Sequence, residues 1–142
     1  PMVEEDLPSI MLVERAAYRF PWSEVIFRDC LRVGYCCWIL ESDDMVVAHG
    51  VMSVAAGESH ILNICVHPES QNTGIGKEML SHLLDIARQH RAEIVFLEVR
   101  PSNEIAKKLY SGAGFDEVGT RSNYYPAVKG REDALIMARN LT

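Results

Sequence analysis

The sequence predicts an α/β fold in which a mixed, mostly antiparallel sheet with a central pair of parallel strands has helices on both faces. Short β-branched runs alternate with segments whose apolar residues recur at helical spacing, in the order ααββ-βα-βα-ββ. The chain has 142 residues, of which 48% are hydrophobic. This length suits one domain over 1–142 and is too short for two ordinary domains.

Two helices are predicted near the N-terminus. Apolar residues recur at helical spacing from Leu7 to Tyr18, and Phe20-Pro21-Trp22 interrupts that pattern. Ser23 can accept a main-chain hydrogen bond as the N-cap of the second helix. Gly34 ends this helix, as glycine commonly does.

The remainder of the chain reads as strands and helices separated by turn residues. The polar turn Glu41-Ser42-Asp43-Asp44 predicts an antiparallel hairpin. Gly112 and Gly114 end the last predicted helix. The predicted strands span 35–40, 45–54, 60–66, 94–98, 115–121 and 134–139, and the two further helices span 74–91 and 103–110.

Composition argues against several classes of protein. The net charge of −6, with scattered Lys and Arg, disfavours a nucleic-acid surface. No apolar run approaches the roughly 18 residues that a membrane span needs, and no signal-like segment precedes the first helix. Cys30, Cys36, Cys37 and Cys65 show neither CxxC nor paired His spacing. We therefore expect reduced thiols, no metal site and a cytoplasmic location.

The segment Gln71-Asn72-Thr73-Gly74-Ile75-Gly76 lies between a predicted strand and a predicted helix. The N-terminus of a helix is an anion site, because its first N–H groups are free and the helix dipole is positive there. The glycines allow a bulky ligand to lie close to the main chain. A P-loop is excluded because Glu78 follows Lys77, and a dinucleotide fingerprint because Met79 replaces its third glycine. The alternative is a tight strand-to-helix turn with incidental glycines.

Three polar residues near the last helix suggest chemistry. Glu98 ends an apolar strand, where partial desolvation would raise its pKa and make it a better base. The alternative is a solvated residue at the end of a strand. Asn103 could contact a cofactor, act as a helix N-cap, or do both. Tyr110, with a phenol pKa of about 10, could protonate a thiolate whose conjugate acid has a pKa of about 8.5. Its alternative is a core aromatic beside Ala106 and Leu109.

The pattern Gln-x-x-Gly-x-Gly resembles the pyrophosphate loop of the GNAT acetyltransferase superfamily. Further segments occur in one collinear order and make the chain similar to the RimI-type bacterial protein N-terminal acetyltransferases within it. They are Phe20-Pro21-Trp22-Ser23-Glu24, Asn63-Ile64-Cys65-Val66-His67-Pro68, Leu97-Glu98-Val99-Arg100-Pro101-Ser102-Asn103, Leu109-Tyr110, Gly114-Phe115 and Asn123-Tyr124-Tyr125-Pro126.

This resemblance implies acetyl-CoA as the cosubstrate, no metal, and a role for each matching residue. Glu98 would be the general base and Tyr110 the general acid. Phe20, Trp22, Tyr124 and Tyr125 would bind the acceptor peptide. The cofactor-binding residues would be Ile64, Cys65, Val66, Gln71, Asn72, Thr73, Gly74, Ile75, Gly76, Lys77 and Asn103.

The resemblance further implies acetylation of a free protein N-terminus, most directly the N-terminal alanine of a small-subunit ribosomal protein. We expect a monomer or weak dimer with no nucleic-acid or membrane partner. Relatives often have basic residues where this chain has Asn72-Thr73, which bears on cofactor affinity. Two alternatives stay open: an acetyltransferase for small amines, and an acyl-CoA-binding module without turnover.

Overall fold

Six strands form a single sheet in the computed structural model, which describes all 142 residues. The strands are β1 (Cys36–Ser42), β2 (Met45–Ala55), β3 (Glu58–Val66), β4 (Ile94–Val99), β5 (Asp116–Pro126) and β6 (Arg131–Asn140). Their spatial order is β1-β2-β3-β4-β6-β5. Only β3 and β4 are parallel, whereas all other neighbours are antiparallel. The mixed sheet with a central parallel pair is therefore confirmed.

Four α-helices cover the sheet. They are α1 (Leu7–Ala17), α2 (Glu24–Arg32), α3 (Ile75–Gln89) and α4 (Glu104–Gly112), with short 3-10 turns at Glu4–Asp6 and Pro68–Ser70. Ser23 caps α2 as predicted, since its hydroxyl accepts from the Ile26 N–H at 3.4 Å. None of the helices is long and apolar enough to cross a membrane.

The two faces of the sheet have separate hydrophobic cores. Buried residues of α3 and α4 pack on one face in a cluster that includes Leu83 and Tyr110, and α1 and α2 bury Phe27 on the other. On the α3 face, a Cβ at Gly50 would lie 3.0 Å from side-chain atoms of Met79 and Leu83. Glycine on β2 thus allows the helix to approach the sheet closely. Helices on both faces were predicted and are confirmed.

Tight turns explain most of the hairpin geometry. Asp43 and Asp44 adopt φ values of 53° and 63°, as a two-residue turn between twisted antiparallel strands requires.

The prediction of β5 was too short, because the strand continues past Arg121 to Pro126. This extension pairs Tyr125 with Glu132 beyond a bulge. Its polar, exposed residues lack the apolar alternation that would have indicated a strand.

Candidate functional site

The parallel strands β3 and β4 separate and create a cleft. They pair only from Glu58 to Ile61 on β3, opposite 94–97 on β4. Beyond that point the segment Leu62–Val66 has no strand partner on its β4 side, whereas Glu98 and Val99 pair with β6. The divergence leaves main-chain polar groups available in the middle of the sheet.

A cavity of about 1210 Å³ occupies this opening. Its volume exceeds the roughly 300–1,000 Å³ of a typical small-ligand pocket, so it can hold an elongated ligand. Two side chains reach main-chain oxygens of the unpaired segment: Tyr18 Oη donates to Ile64 O at 2.6 Å, and Gln71 Nε2 donates to Val66 O at 3.3 Å. The predicted site residues that line the cavity are Phe20, Trp22, Ile64, Val66, Gln71, Asn72, Gly74, Gly76, Lys77, Glu98, Asn103, Tyr110 and Tyr125.

The turn after β3 presents backbone donors at one end of the cavity. Gly74 is the N-cap of α3 with φ 86°, and no side chain caps the helix. The first N–H to bond back into the helix is that of Glu78, 3.0 Å from Gly74 O. The N–H groups of residues 75–77 therefore have no intrahelical partner. Asn72 adopts φ 63°, a left-handed conformation that asparagine tolerates better than most residues. Such a terminus is suited to phosphate.

The C-terminal half of α4 lies beside the start of α3. A Cβ at Gly76 would be 3.5 Å from Leu109 Cδ2, so the two helices nearly touch. Lys77 from α3 and Lys108 from α4 both line the cavity. Their ammonium groups supply positive charge near a loop that itself has none at 72 and 73.

Asn103 is the N-cap of α4. Its Oδ1 accepts from the Ala106 N–H at 3.1 Å. The capping alternative is therefore observed, and the Nδ2 group, which makes no hydrogen bond within the protein, is free to donate into the cavity.

Glu98 lies between two basic side chains and lines the same cavity. Its side chain is 8% exposed, its Oε2 contacts His60 Nε2, and its Oε1 lies 3.2 Å from Arg121 Nε. Burial opposes ionisation, but His60 and Arg121 outweigh it and lower the pKa of Glu98 below its ordinary value. The prediction of a raised pKa was wrong, because the sequence does not show these two partners.

Tyr110 is both a core aromatic and a cavity residue. Its ring packs against Phe115 with centroids 6.0 Å apart. Burial, with a smaller contribution from Cys65, raises the pKa of Tyr110 to about 12. The phenol thus keeps its proton over the whole neutral range. Burial also raises the pKa values of Tyr18 and Tyr125, so the cavity has three protonated phenols.

Aromatic rings and one arginine form another part of the cavity lining. The Arg100 guanidinium lies 4.5 Å from the Tyr125 ring centroid and 5.5 Å from that of Phe20. Arg100 Nη1 also donates to Glu132 Oε1 at 3.2 Å. This side chain therefore connects the α1–α2 loop to the β5–β6 hairpin across the cleft.

Several predicted residues lie outside the cavity lining. The Cys65 side chain is buried and directs Sγ toward Val13 O at 3.8 Å. Thr73 donates its hydroxyl to Ser70 O, and Ile75 packs against the α3 core. Tyr124 is 45% exposed and stacks edge-on with Tyr125.

A buried polar network behind Trp22 was not predicted. Glu14 is 1% exposed, accepts from the Trp22 N–H at 2.9 Å and from Asn63 Nδ2 at 3.2 Å, and lies 3.3 Å from His49 Nε2. The Trp22 ring packs on Phe27 with centroids 5.2 Å apart. This network fixes the loop that forms one rim of the cavity. The available signal was Glu14 itself, which lies on the apolar face of α1.

Comparison with known proteins agrees with this geometry. Residues 5–115 match the family model described as the acetyltransferase (GNAT) family. A Salmonella typhimurium protein, ribosomal protein bS18-alanine N-acetyltransferase, is 40% identical over 133 residues, which are 94% of this chain and 90% of that protein.

Solved structures show the same likeness. The crystal structure of the ribosomal-protein-S18-alanine N-acetyltransferase from Escherichia coli has a TM-score of 0.92 and 37% identity, covering 99% of this chain and 91% of that one. Ard1 from Thermoplasma volcanium has a TM-score of 0.89 at 22% identity, covering 99% and 95%, which is a likeness of fold.

Proposed function

The chain belongs to the acetyltransferase (GNAT) family, and from this premise we propose that it transfers the acetyl group of acetyl-CoA to the free α-amine of a protein N-terminus. The natural acceptor that we propose is the N-terminal alanine of ribosomal protein bS18, the acceptor named for its bacterial relatives. The observation on which the proposal depends is that Glu98 and Tyr110 line the same cavity as the uncapped start of α3.

The residues present fit acetyl-CoA. Unpartnered N–H groups at residues 75–77 suit its pyrophosphate, and Lys77 and Lys108 add positive charge. The unpaired segment Leu62–Val66 offers main-chain groups to the pantetheine amides, and Asn103 Nδ2 is a further donor. When bound, acetyl-CoA supplies the thioester that the acceptor amine attacks.

Glu98 is the proposed base. An N-terminal α-amine has a pKa of about 7.8, so roughly a quarter of it is neutral at pH 7.4, against about a thousandth of a lysine amine. Little deprotonation is needed before attack, and the nitrogen becomes acidic as it bonds to the carbonyl carbon. A carboxylate with a lowered pKa can then accept the proton, directly or through one water molecule. Orientation of the amine supplies much of the rate.

Tyr110, which the family resemblance makes the acid, is proposed to assist departure of the sulfur. With its pKa raised to about 12, full proton transfer to a thiolate whose conjugate acid has a pKa of about 8.5 is uphill. The phenol therefore stabilises the departing sulfur by donating a hydrogen bond as negative charge develops there. This role requires the protonated phenol, which burial ensures.

The acceptor peptide would enter beside the aromatic wall. Phe20, Trp22 and Tyr125 line that side of the cavity, with Tyr124 next to Tyr125. We further propose a single acetyltransferase domain that acts as a monomer or weak dimer. Four unpaired thiols support activity in the reducing cytoplasm.

The test is a CoA-release assay with acetyl-CoA and a panel of acceptors. The panel contains short peptides beginning with Ala, Ser, Met or Gly, Nα-blocked lysine peptides and free polyamines. We expect turnover on free α-amino peptides, fastest with Ala, and little turnover when Glu98→Gln replaces the wild-type enzyme.

The alternative functions predict different results. Turnover confined to polyamines would identify a small-amine acetyltransferase with the same machinery. Acetyl-CoA binding without release of CoA on any acceptor would contradict an enzymatic function and favour an acyl-CoA-binding module.

A further inference from the structure

Each carboxylate oxygen of Glu98 contacts a different basic side chain. Oε2 contacts His60 Nε2 from β3, and Oε1 lies 3.2 Å from Arg121 Nε on β5. The two partners come from strands on opposite sides of β4, so the carboxylate is held from both directions. A carboxylate with a donor on each oxygen has a fixed plane as well as a fixed position.

His60 lies behind Glu98 as seen from the cleft. Glu98 lines the cavity, whereas His60 does not. The His60 side chain is 33% exposed to solvent, against 8% for Glu98. His60 is therefore placed to act on the reaction through Glu98.

We infer that His60 is a positioning residue. It holds the Glu98 carboxylate toward the cleft and thereby sets the lowest pH at which the enzyme remains active. This inference rests on the proposed acetyl transfer. It adds to that function a residue that the family resemblance does not indicate, because His60 lies outside the segments on which the resemblance was based.

The surroundings of Glu98 make His60 the partner that matters most. The titratable and charged groups that face the carboxylate are His60 from β3 and Arg121 and Tyr125 from β5, whereas its neighbour on β6 is Ile136. Arg121 is 53% exposed, so water screens its charge. Burial alone would favour the protonated carboxyl. Without His60, Glu98 would protonate at a higher pH and rotate more freely.

The experiment compares His60→Ala and His60→Gln with wild type, using an Ala-initial peptide and measuring kcat and KM from about pH 5.5 to 9. Gln can still donate an N–H to Oε2 but, unlike histidine, cannot acquire a positive charge. His90→Gln is the matched control, because His90 is an exposed residue at the C-cap of α3.

His60→Ala should lower kcat at pH 7.5 by about tenfold, the lower end of what loss of a hydrogen bond to a charged group costs. The KM for acetyl-CoA should stay within about twofold. The second fall in kcat, which lies below the fall caused by the α-amine and reflects protonation of Glu98, should begin at a higher pH. His60→Gln should recover most of kcat at pH 7.5 while this second fall stays at the higher pH. A second fall that begins at the wild-type pH in both variants, as in His90→Gln, would overturn the inference.

A direct titration separates this inference from the proposed function. The ¹³C shift of the Glu98 carboxyl carbon, assigned with Glu98→Gln, should titrate at a higher pH in His60→Ala than in wild type. An unchanged midpoint overturns the inference whether or not the enzyme acetylates peptides. If the wild-type enzyme transfers no acetyl group but the Glu98 midpoint still moves in His60→Ala, the proposed function and the effect of His60 on catalysis are refuted. The coupling between His60 and Glu98 is then still supported.

Discussion

Removal of the Glu14 carboxylate should be among the most destabilising single changes in the protein. The side chain is 1% exposed and accepts from the Trp22 N–H at 2.9 Å and Asn63 Nδ2 at 3.2 Å. His49, which is fully buried, has a ring nitrogen 3.3 Å from the same carboxylate. Glu14→Ala would leave the Trp22 N–H and the Asn63 Nδ2 group without this acceptor.

The magnitude follows from the number of buried donors that lose their acceptor. A hydrogen bond to a charged group contributes about 1.5–3 kcal/mol, and two such bonds end on this carboxylate. These losses overlap because all contacts share one carboxylate. We therefore expect the free energy of unfolding to fall by about 3–5 kcal/mol in Glu14→Ala. Glu14→Gln keeps an acceptor oxygen for Trp22, so its loss should be about 1–2 kcal/mol.

Urea unfolding followed by tryptophan fluorescence measures these differences, since Trp22 lies beside the network. Glu5→Ala is the matched control, because Glu5 is exposed and makes no side-chain hydrogen bond, and its change should stay within about 0.5 kcal/mol. Glu14→Ala within about 1 kcal/mol of wild type would refute the reasoning that the buried carboxylate satisfies these donors.

Three further changes address the site. Glu98→Gln should lower kcat by about 10²-fold at pH 7.5 and leave the Kd for acetyl-CoA within twofold, measured by CoA release and calorimetry. As the pH falls, the wild-type rate should first decrease near pH 7.8, because the acceptor α-amine becomes protonated. Because the pKa of Glu98 is lowered, protonation of its carboxylate should reduce the rate only at a lower pH. Tyr110→Phe should lower kcat about tenfold. Because the pKa of Tyr110 is about 12, the wild-type pH–rate profile should show no loss from this phenol up to about pH 10. Asn72→Ala should raise the Kd for acetyl-CoA severalfold, since φ 63° is unfavourable for alanine, whereas Asn72→Gly should not.

For each of these three substitutions, one result would contradict the expectation. Full turnover in Glu98→Gln at pH 7.5 would exclude Glu98 as the base, and Glu117→Gln on the exposed strand β5 serves as its control. If the free energy of unfolding of Tyr110→Phe is more than about 1 kcal/mol below that of wild type, the hydroxyl has a structural role. Equal Kd values for Asn72→Ala and Asn72→Gly would show that the left-handed turn does not govern cofactor binding.

Local patterns were enough to predict most of the fold. Ser23 before an amphipathic run, apolar runs bounded by turn residues and the paired aspartates at 43 and 44 each act over a few residues, and the structure contains the elements they predict. The end of β5 was missed because the segment through Asn123 is polar on both faces. Pairing with β6, the hydrogen bond from the Asn123 N–H to Asp133 Oδ1 and the contacts of Arg131 with Asn123 O and Tyr124 O hold it against β6.

Candidate residues of the site were easier to predict than their environment. Glu98 could be chosen from its place at a strand end, but its lowered pKa depends on His60 and Arg121, which are distant in sequence. Asn103 was predicted with two possible roles, and the capping hydrogen bond is present. Tertiary contacts of this kind leave no periodic signal in the chain, which is why the His60 contact and the Glu14 network were found only in the folded protein.

The measurement that tests the central claim most directly is tandem mass spectrometry of a single product. The acceptor is a peptide that begins with a free alanine and contains one internal lysine, incubated with acetyl-CoA and the enzyme at pH 7.5. We predict one acetyl group, located on the alanine α-amine, with Glu98→Gln giving almost no product. Acetyl on the lysine Nζ, or an unmodified peptide despite bound acetyl-CoA, would contradict acetyl transfer to a protein N-terminus.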